Sequence, residues 1–102
     1  MLRAKNPKPL TPEQLEKVAH LFKVLGEPMR LRILQVVCKE ARSVGDIVEA
    51  SGSTQANVSK HLALLTSAGI LRRQRDRQRV FYGVKDELAV KLCELVRAQI
   101  EN

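Results

Sequence analysis

Two cysteines are the side chains of this 102-residue sequence best suited to redox chemistry or soft-metal binding. Cys38 and Cys93 are accompanied by two histidines, and these four residues are spread from His20 to Cys93. A zinc site needs several thiolate, imidazole or carboxylate ligands in a tetrahedral arrangement, so no metal site is predicted. The sequence also lacks a glycine-rich phosphate loop, a nucleophile elbow and a convincing acid/base pair. We therefore do not expect an enzyme.

A cluster of arginines is the second chemical feature. The chain has 18 Lys and Arg against 11 Asp and Glu, a net charge of +7. This excess is concentrated in a short segment opposed by Asp76 alone, and such clustering indicates an anionic partner. The members of the cluster are Arg72, Arg73, Arg75, Arg77 and Arg79.

Polar residues without acidic neighbours form a third feature, immediately before the arginines. Residues 43–50 and 54–68 are predicted as helices joined by the turn 51–53, and this is the spacing of a helix-turn-helix unit. The second helix of such a unit enters the major groove of DNA, where Gln and Asn can pair with adenine edges. Many surface helices carry the same polar residues. The arginine-rich segment that follows is what favours DNA binding.

The remaining elements must position these residues. Thr11, Pro12 and Gln14 predict a helix start, and Gly26 and Pro28 separate this helix from the next. Residues 70–84 read as a β-hairpin with a basic tip at 74–78, and Asp86 can cap a terminal helix. We predict a mainly α fold with a small β-hairpin: a winged helix-turn-helix of five helices and a two-stranded wing. Residues 1–10 are expected to form a flexible arm and residues 11–102 a single domain.

Apolar stripes on the first and last helices need a partner surface. In an isolated small domain they would leave a large apolar patch in water. They can be covered within the domain or by a second copy of the chain, and a symmetric dimer would also place two recognition helices about one DNA turn apart. We expect a homodimer with an interface formed by Leu15, Val18, Phe22, Leu88, Leu92, Leu95 and Val96.

Several segments together resemble the ArsR/SmtB family of repressors. They are LGEPMRLRIL (25–34), SVGDI (43–47), TQANVSKHLALL (54–65) and the wing pair AGIL (68–71) and RVFY (79–82). The resemblance covers about residues 13–100. It implies a homodimeric winged-helix repressor, with the terminal helices as its dimer interface, that occupies double-stranded operators of imperfect two-fold symmetry until an inducer acts.

Carried over to this sequence, the resemblance implies a set of DNA-binding residues. We expect the recognition helix to read bases and the wing arginines to contact the DNA backbone. For His61, which lies off the outward face, a half-buried structural role is the alternative. The set comprises Thr54, Gln55, Ala56, Asn57, Ser59, Lys60 and His61, with Arg72, Arg73, Arg75, Arg77 and Arg79 in the wing.

The family's usual metal sites have no counterpart in this sequence. Residues 42–46 contain no thiol, and along the last helix only Asp86 matches the zinc-sensing pattern. Some relatives that respond to persulfides or oxidants use one cysteine from each of the two helices that here carry Cys38 and Cys93. Thiol sensing, soft-metal or arsenical sensing, and plain packing as small apolar residues remain open for this pair. No cofactor is expected to be required, and the inducer is unidentified.

Other function classes are less well supported. A winged-helix protein-interaction module or a non-specific nucleic-acid-binding protein without an inducer site is the alternative function. The chain has only three aromatic residues, which argues against RNA binding by base stacking. No stretch approaches the roughly 18 apolar residues needed to cross a bilayer, and no signal peptide is visible. A cytoplasmic location, without membrane association, is therefore expected.

Overall fold

The computed structural model describes residues 8–102, so most of the predicted arm at 1–10 lies outside the described residues. The described part contains five helices and a three-stranded antiparallel sheet, which confirms the predicted winged helix-turn-helix class. In chain order the elements are α1 (Pro12–Leu25), α2 (Pro28–Val37), β1 (Arg42–Ser43), α3 (Val44–Ser51), α4 (Gln55–Ser67), β2 (Leu71–Asp76), β3 (Arg79–Val84) and α5 (Glu87–Glu101).

The start of α1 is fixed by local hydrogen bonds. The Thr11 hydroxyl accepts from the backbone N–H of Gln14 at 3.1 Å, and the Gln14 side chain accepts from the backbone N–H of Thr11 at 3.0 Å. Pro12 occupies the first turn, where its missing N–H costs no hydrogen bond. This reciprocal capping box confirms the predicted helix start.

A tight turn joins α3 to α4 and completes the helix-turn-helix unit. Ser43 caps α3 and Thr54 caps α4, each through its hydroxyl. Gly52 follows α3 with a φ of +72°, a left-handed conformation that favours glycine because it has no Cβ. The predicted turn is confirmed, although Ser51 belongs to the end of α3.

The wing is longer and sharper than the sequence predicts. β2 continues to Asp76, which pairs with Arg79, so the tip is the two residues Arg77 and Gln78 rather than 74–78. The ends of the two strands could not be predicted from alternating polar and apolar residues. Residues on both sides of the tip are polar, because an exposed wing has no apolar face there. β1 was not predicted; its two residues, 42–43, pair with β3 at Tyr82 and Phe81.

The aliphatic core lies among α2, α3, α4 and the beginning of β2. The two outer helices contribute little to it: α1 buries two residues near its end and α5 buries only Ala89. The buried apolar residues are Val24, Leu25, Ile33, Leu34, Val37, Ile47, Val58, Leu62, Leu65, Ile70, Leu71 and Ala89. The core therefore supports the helix-turn-helix and the base of the wing. Over residues 8–102, no helix is both long and apolar enough to span a membrane.

Candidate nucleic-acid interface

The first turns of α4 present a small polar surface. Gln55, Ala56, Ser59 and Lys60 are exposed, because Val58 on the opposite side is fully buried in the core. The exposed side chains are short apart from Gln55 and Lys60, and none is acidic. The backbone of α4 can therefore approach a polyanion closely while two longer side chains reach beyond it.

Two predicted contact residues also hold the turn in place. The Thr54 hydroxyl accepts from the backbone N–H of Asn57 at 3.1 Å, which caps α4. The Asn57 side-chain amide donates to the Ser53 hydroxyl at 2.8 Å, and Asn57 is only half exposed. Thr54 and Asn57 thus fix the angle at which the chain enters α4.

His61 does not lie on this surface. It is 7% exposed, and its imidazole faces the junction between α1 and α2. The location favours the structural alternative for His61 over base reading, with a correction in detail: the ring is buried rather than half-buried. Its contacts with Arg30 and Glu27 come from residues far along the chain, so a helical projection of α4 could not reveal them.

The wing arginines are all exposed, but they fall on two faces of the hairpin. Strand register places Arg73 beside Tyr82 and Arg75 beside Val80 on one face. The opposite face carries Arg72 and Arg79, because side chains alternate along a strand. The wing therefore does not present its charge as one continuous arginine surface.

Two of these arginines have partners within the wing. The Arg72 guanidinium donates to the backbone carbonyl of Val84 at 2.8 Å, and the Arg79 guanidinium lies 5.2 Å from the centre of the Phe81 ring. The side chains of Arg73, Arg75 and Arg77 make no hydrogen bond or ion pair with other residues of 8–102.

Arg77 is the first of the two central tip residues and has a φ of +60°. A left-handed backbone is uncommon for a residue with a side chain, so the tip holds Arg77 in a strained conformation.

A long apolar surface runs over α1 and α5. Of the seven predicted interface residues, six are exposed, with Phe22 at 57% and Leu95 at 69%. Leu92 is half-buried and packs against the core of its own chain. Sequence reasoning left out Leu10 and Ile100, which are also exposed; the helical spacing of Ile100 from Val96 was the available signal.

Cys38 and Cys93 line the same apolar groove, which lies between α2 and α5. Its volume is about 690 Å³, and Leu25, Leu34 and Ile100 are among its other lining residues. Both thiols are free and partly buried. Burial raises the pKa of the Cys93 thiol, while Cys38 Sγ donates to the backbone carbonyl of Gln35 at 3.1 Å. Residues 8–102 contain no group of three or more His, Cys, Asp or Glu that could hold a metal ion.

The exposed polar helix, the turn before it and the basic hairpin after it define a winged helix-turn-helix nucleic-acid-binding protein. Residues 25–74 match a helix-turn-helix domain model. The chain is 33% identical to a probable mercury resistance operon repressor of Streptomyces lividans over 80% of this chain, and it spans 66% of that repressor, slightly under two thirds. The chain belongs to the ArsR/SmtB family of transcriptional regulators, which confirms the resemblance seen in its motifs and identifies it as a regulator rather than an enzyme.

Solved structures agree with this assignment. The AntR antimony-specific transcriptional repressor is 30% identical, with a TM-score of 0.85, and the match covers 95% of this chain and 88% of that chain. A homodimeric winged helix-turn-helix DNA-binding domain from Mycobacterium bovis, described as a possible ArsR-family regulator, is 28% identical with a TM-score of 0.79. That match covers 99% of this chain and 91% of that chain.

Proposed function

We propose that this chain is a homodimeric transcriptional repressor that binds a double-stranded operator of imperfect two-fold symmetry. The observation that carries the proposal is the exposed Gln55–Lys60 face of α4, followed directly by a wing with three unpaired arginines within the described residues. The helix face has the groups needed to read base edges. The wing has the charges needed to neutralise phosphates, which supply most of the affinity for DNA.

Dimerisation is supported by the exposed apolar surface of α1 and α5. Side chains such as Phe22, Leu95 and Val96 are more than half exposed in the single chain, and covering them with a second copy would remove this area from water. The Mycobacterium bovis relative is a homodimer. A two-fold axis would present two α4 helices to two half-sites, which accounts for the proposed operator symmetry.

We further propose that an inducer acts at the groove between α2 and α5, through Cys38 and Cys93. The two thiols lie in different helices and line one groove, so modification of either can change how α5 packs on α2. One relative is named as a probable mercury resistance operon repressor and another as an antimony-specific transcriptional repressor, and thiols are suitable ligands for soft ions of this kind. Reactive sulfur and oxidants are the second class of inducer that this pair can accept. No cofactor is required for DNA binding in this proposal.

Selection from a random DNA library at two salt concentrations tests the DNA-binding function. We expect enrichment of one two-fold symmetric motif, with affinity that falls steeply as salt increases. Binding to every sequence alike would support the non-specific alternative. Absence of DNA binding together with capture of a protein partner would support the interaction module.

The inducer is tested by release of operator DNA after treatment with persulfide, arsenite or a mercury(II) salt. Cys38→Ser and Cys93→Ser are each expected to reduce release by the active reagent, while Ser67→Ala, an exposed hydroxyl deletion on α4, leaves it unchanged. Undiminished release in both cysteine variants would remove the cysteines from the mechanism.

A further inference from the structure

We propose that His61 is a positioning residue, which connects the recognition helix to the corner between α1 and α2 and so determines how α4 is presented to DNA. The inference rests on the proposed function, because it assigns to a buried residue of α4 a part in the specificity of DNA recognition. It concerns a cluster of three side chains, those of His61, Arg30 and Glu27. Their polar atoms meet on the side of α4 that faces away from its exposed polar surface.

The central contact of this cluster is directional. Arg30 Nε donates to His61 Nδ1 at 3.2 Å. A guanidinium has no acceptor, so Nδ1 must be the unprotonated ring nitrogen and the imidazole proton resides on Nε2. Nε2 faces Glu27 Oε2 at 3.6 Å, which gives the ring a carboxylate on its other side. The two sides of the imidazole therefore have different partners, and the ring has one preferred orientation.

Both partners are held by the corner itself. Arg30 Nη1 donates to the backbone carbonyl of Val24 at the end of α1. The Glu27 carboxylate accepts from the backbone N–H groups of Met29 and Arg30, and so caps α2. Desolvation raises the pKa of the Glu27 carboxyl, but the two backbone hydrogen bonds and the neighbouring His61 ring and Arg30 guanidinium outweigh it and lower this pKa below its ordinary value. A charged Glu27 is thus a fixed part of the corner.

The position of His61 in the sequence explains how its contacts with Arg30 and Glu27 affect DNA recognition. It directly follows Ser59 and Lys60, and successive residues of an α-helix differ by about 100° in direction. Anchoring His61 on the inner side therefore sets the direction of its exposed neighbours. Apolar neighbours such as Val58 and Leu62 resist separation of α4 from the core, but they restrict its rotation less than directional hydrogen bonds do. Base-edge contacts require defined geometry, whereas phosphate contacts tolerate small rotations.

Three substitutions at His61 separate the effect of its polar contacts from the effect of its side-chain volume. His61→Leu keeps an apolar side chain of similar size without polar contacts. His61→Asn places an amide oxygen near the position of Nδ1 and keeps an acceptor for Arg30, while His61→Gln reaches the position of Nε2 instead. Val58→Ala is the control for lost stability, because Val58 is fully buried on the same helix and makes no polar side-chain contact. Should His61→Leu fail to fold, Arg30→Met removes the same hydrogen bond from the other side.

The first readout is the ratio of affinities for the selected operator and for unrelated DNA. We expect His61→Leu to weaken operator binding about 10-fold while changing non-specific binding less than about 2-fold, because only base-edge geometry is affected. His61→Asn should remain within about 3-fold of the wild type for the operator, since it restores the contact with Arg30. Val58→Ala should lower stability without changing the ratio. Equal losses in His61→Leu and His61→Asn, or a parallel fall in both affinities, would overturn the proposal.

The second readout is amide hydrogen exchange of residues 55–67 in the DNA-free protein. Exchange in this segment should be faster in His61→Leu than in the wild type at matched global stability, and His61→Asn should restore it. This measurement does not depend on DNA. If the wild type selected no operator, the proposed function would fail, and the exchange data alone would decide whether His61 positions α4. Wild-type exchange in His61→Leu would then contradict the positioning role.

Discussion

The helices α4 and α5 are similar in length and both are amphipathic, but only α4 has its apolar side covered by other residues of the same chain. α4 buries Val58, His61, Leu62 and Leu65 among α2, α3 and β2. α5 buries only Ala89 and exposes apolar side chains along most of its length. The difference shows that an apolar stripe predicts a buried face without identifying what covers it. For α4 the covering surface is the domain core, and for α5 the proposed cover is a second copy.

The same contrast between a covered and an uncovered apolar side chain occurs within α4, at two adjacent leucines. Leu65 is fully buried and Leu64 is 40% exposed, so the same change to alanine tests each environment. Leu65→Ala should lower the free energy of unfolding by about 2–5 kcal/mol, because it removes buried methyl groups and leaves a cavity. Leu64→Ala should cost less than about 1 kcal/mol. Urea unfolding of both variants at one protein concentration measures the difference. Equal losses would show that the core does not extend to this side of α4.

A substitution at Leu95 tests the proposal that a second copy of the chain covers α5. Leu95→Glu puts a charge in the exposed apolar stripe and should convert the dimer to a monomer, because an unpaired carboxylate is costly to bury. Operator affinity should then fall by about 100-fold or more, since a monomer reaches one half-site only. Sedimentation equilibrium and operator titration measure the two effects.

Gln99→Glu provides the matched control for Leu95→Glu, because it makes the same charge change at an exposed polar position of α5. Its mass in solution and its affinity should be close to those of the wild type. A dimeric Leu95→Glu protein with full affinity would contradict the proposed interface.

The reading helix and the wing should respond differently to truncation. Gln55→Ala with Lys60→Ala is expected to abolish the preference for one site, because both side chains lie on the exposed face of α4. Arg75→Ala with Arg77→Ala should weaken binding about 10-fold on all sequences, and the salt slope should become shallower by about one for each phosphate that is no longer neutralised. Lys91→Ala on α5 is the charge control. The assigned roles are reversed if the wing pair changes site preference and the helix pair does not.

The smallest expected effect concerns the thiol of Cys93. Burial raises its pKa, so less of the reactive thiolate is present at neutral pH than for an ordinary cysteine. In Cys38→Ser protein, alkylation of Cys93 by iodoacetamide should therefore be slow near pH 7. Its rate should rise with pH through a midpoint above the ordinary value of 9.0. The unfolded protein in urea is the control, and its midpoint should be lower. Coincident midpoints would mean that the groove does not shield this thiol.

The features that were correctly predicted from the sequence depend on short-range interactions. A capping hydroxyl bonds to a backbone N–H three residues away, and a glycine accepts a left-handed turn by itself, so both effects are visible in a few adjacent letters. The order of helices and hairpin follows from such signals, and the family motifs extend over the same segments. Thr11, Pro12, Gln14 and Asp86 have the local roles predicted from the sequence, and Gly52 lies in the predicted turn; the capping roles of Ser43 and Thr54 were not predicted.

Other features were decided only by the tertiary structure, because they join residues that are distant along the chain. Arg30 and His61 are 31 positions apart, and neither the helix that carries Arg30 nor the projection of α4 indicates that they meet. The pairing of residues 42–43 with β3 and the shared groove of Cys38 and Cys93 have the same origin. Sequence determined the elements and the chemical groups that they carry, since these depend on local backbone preferences. Packing of the elements decided which groups face one another and which of them remain exposed.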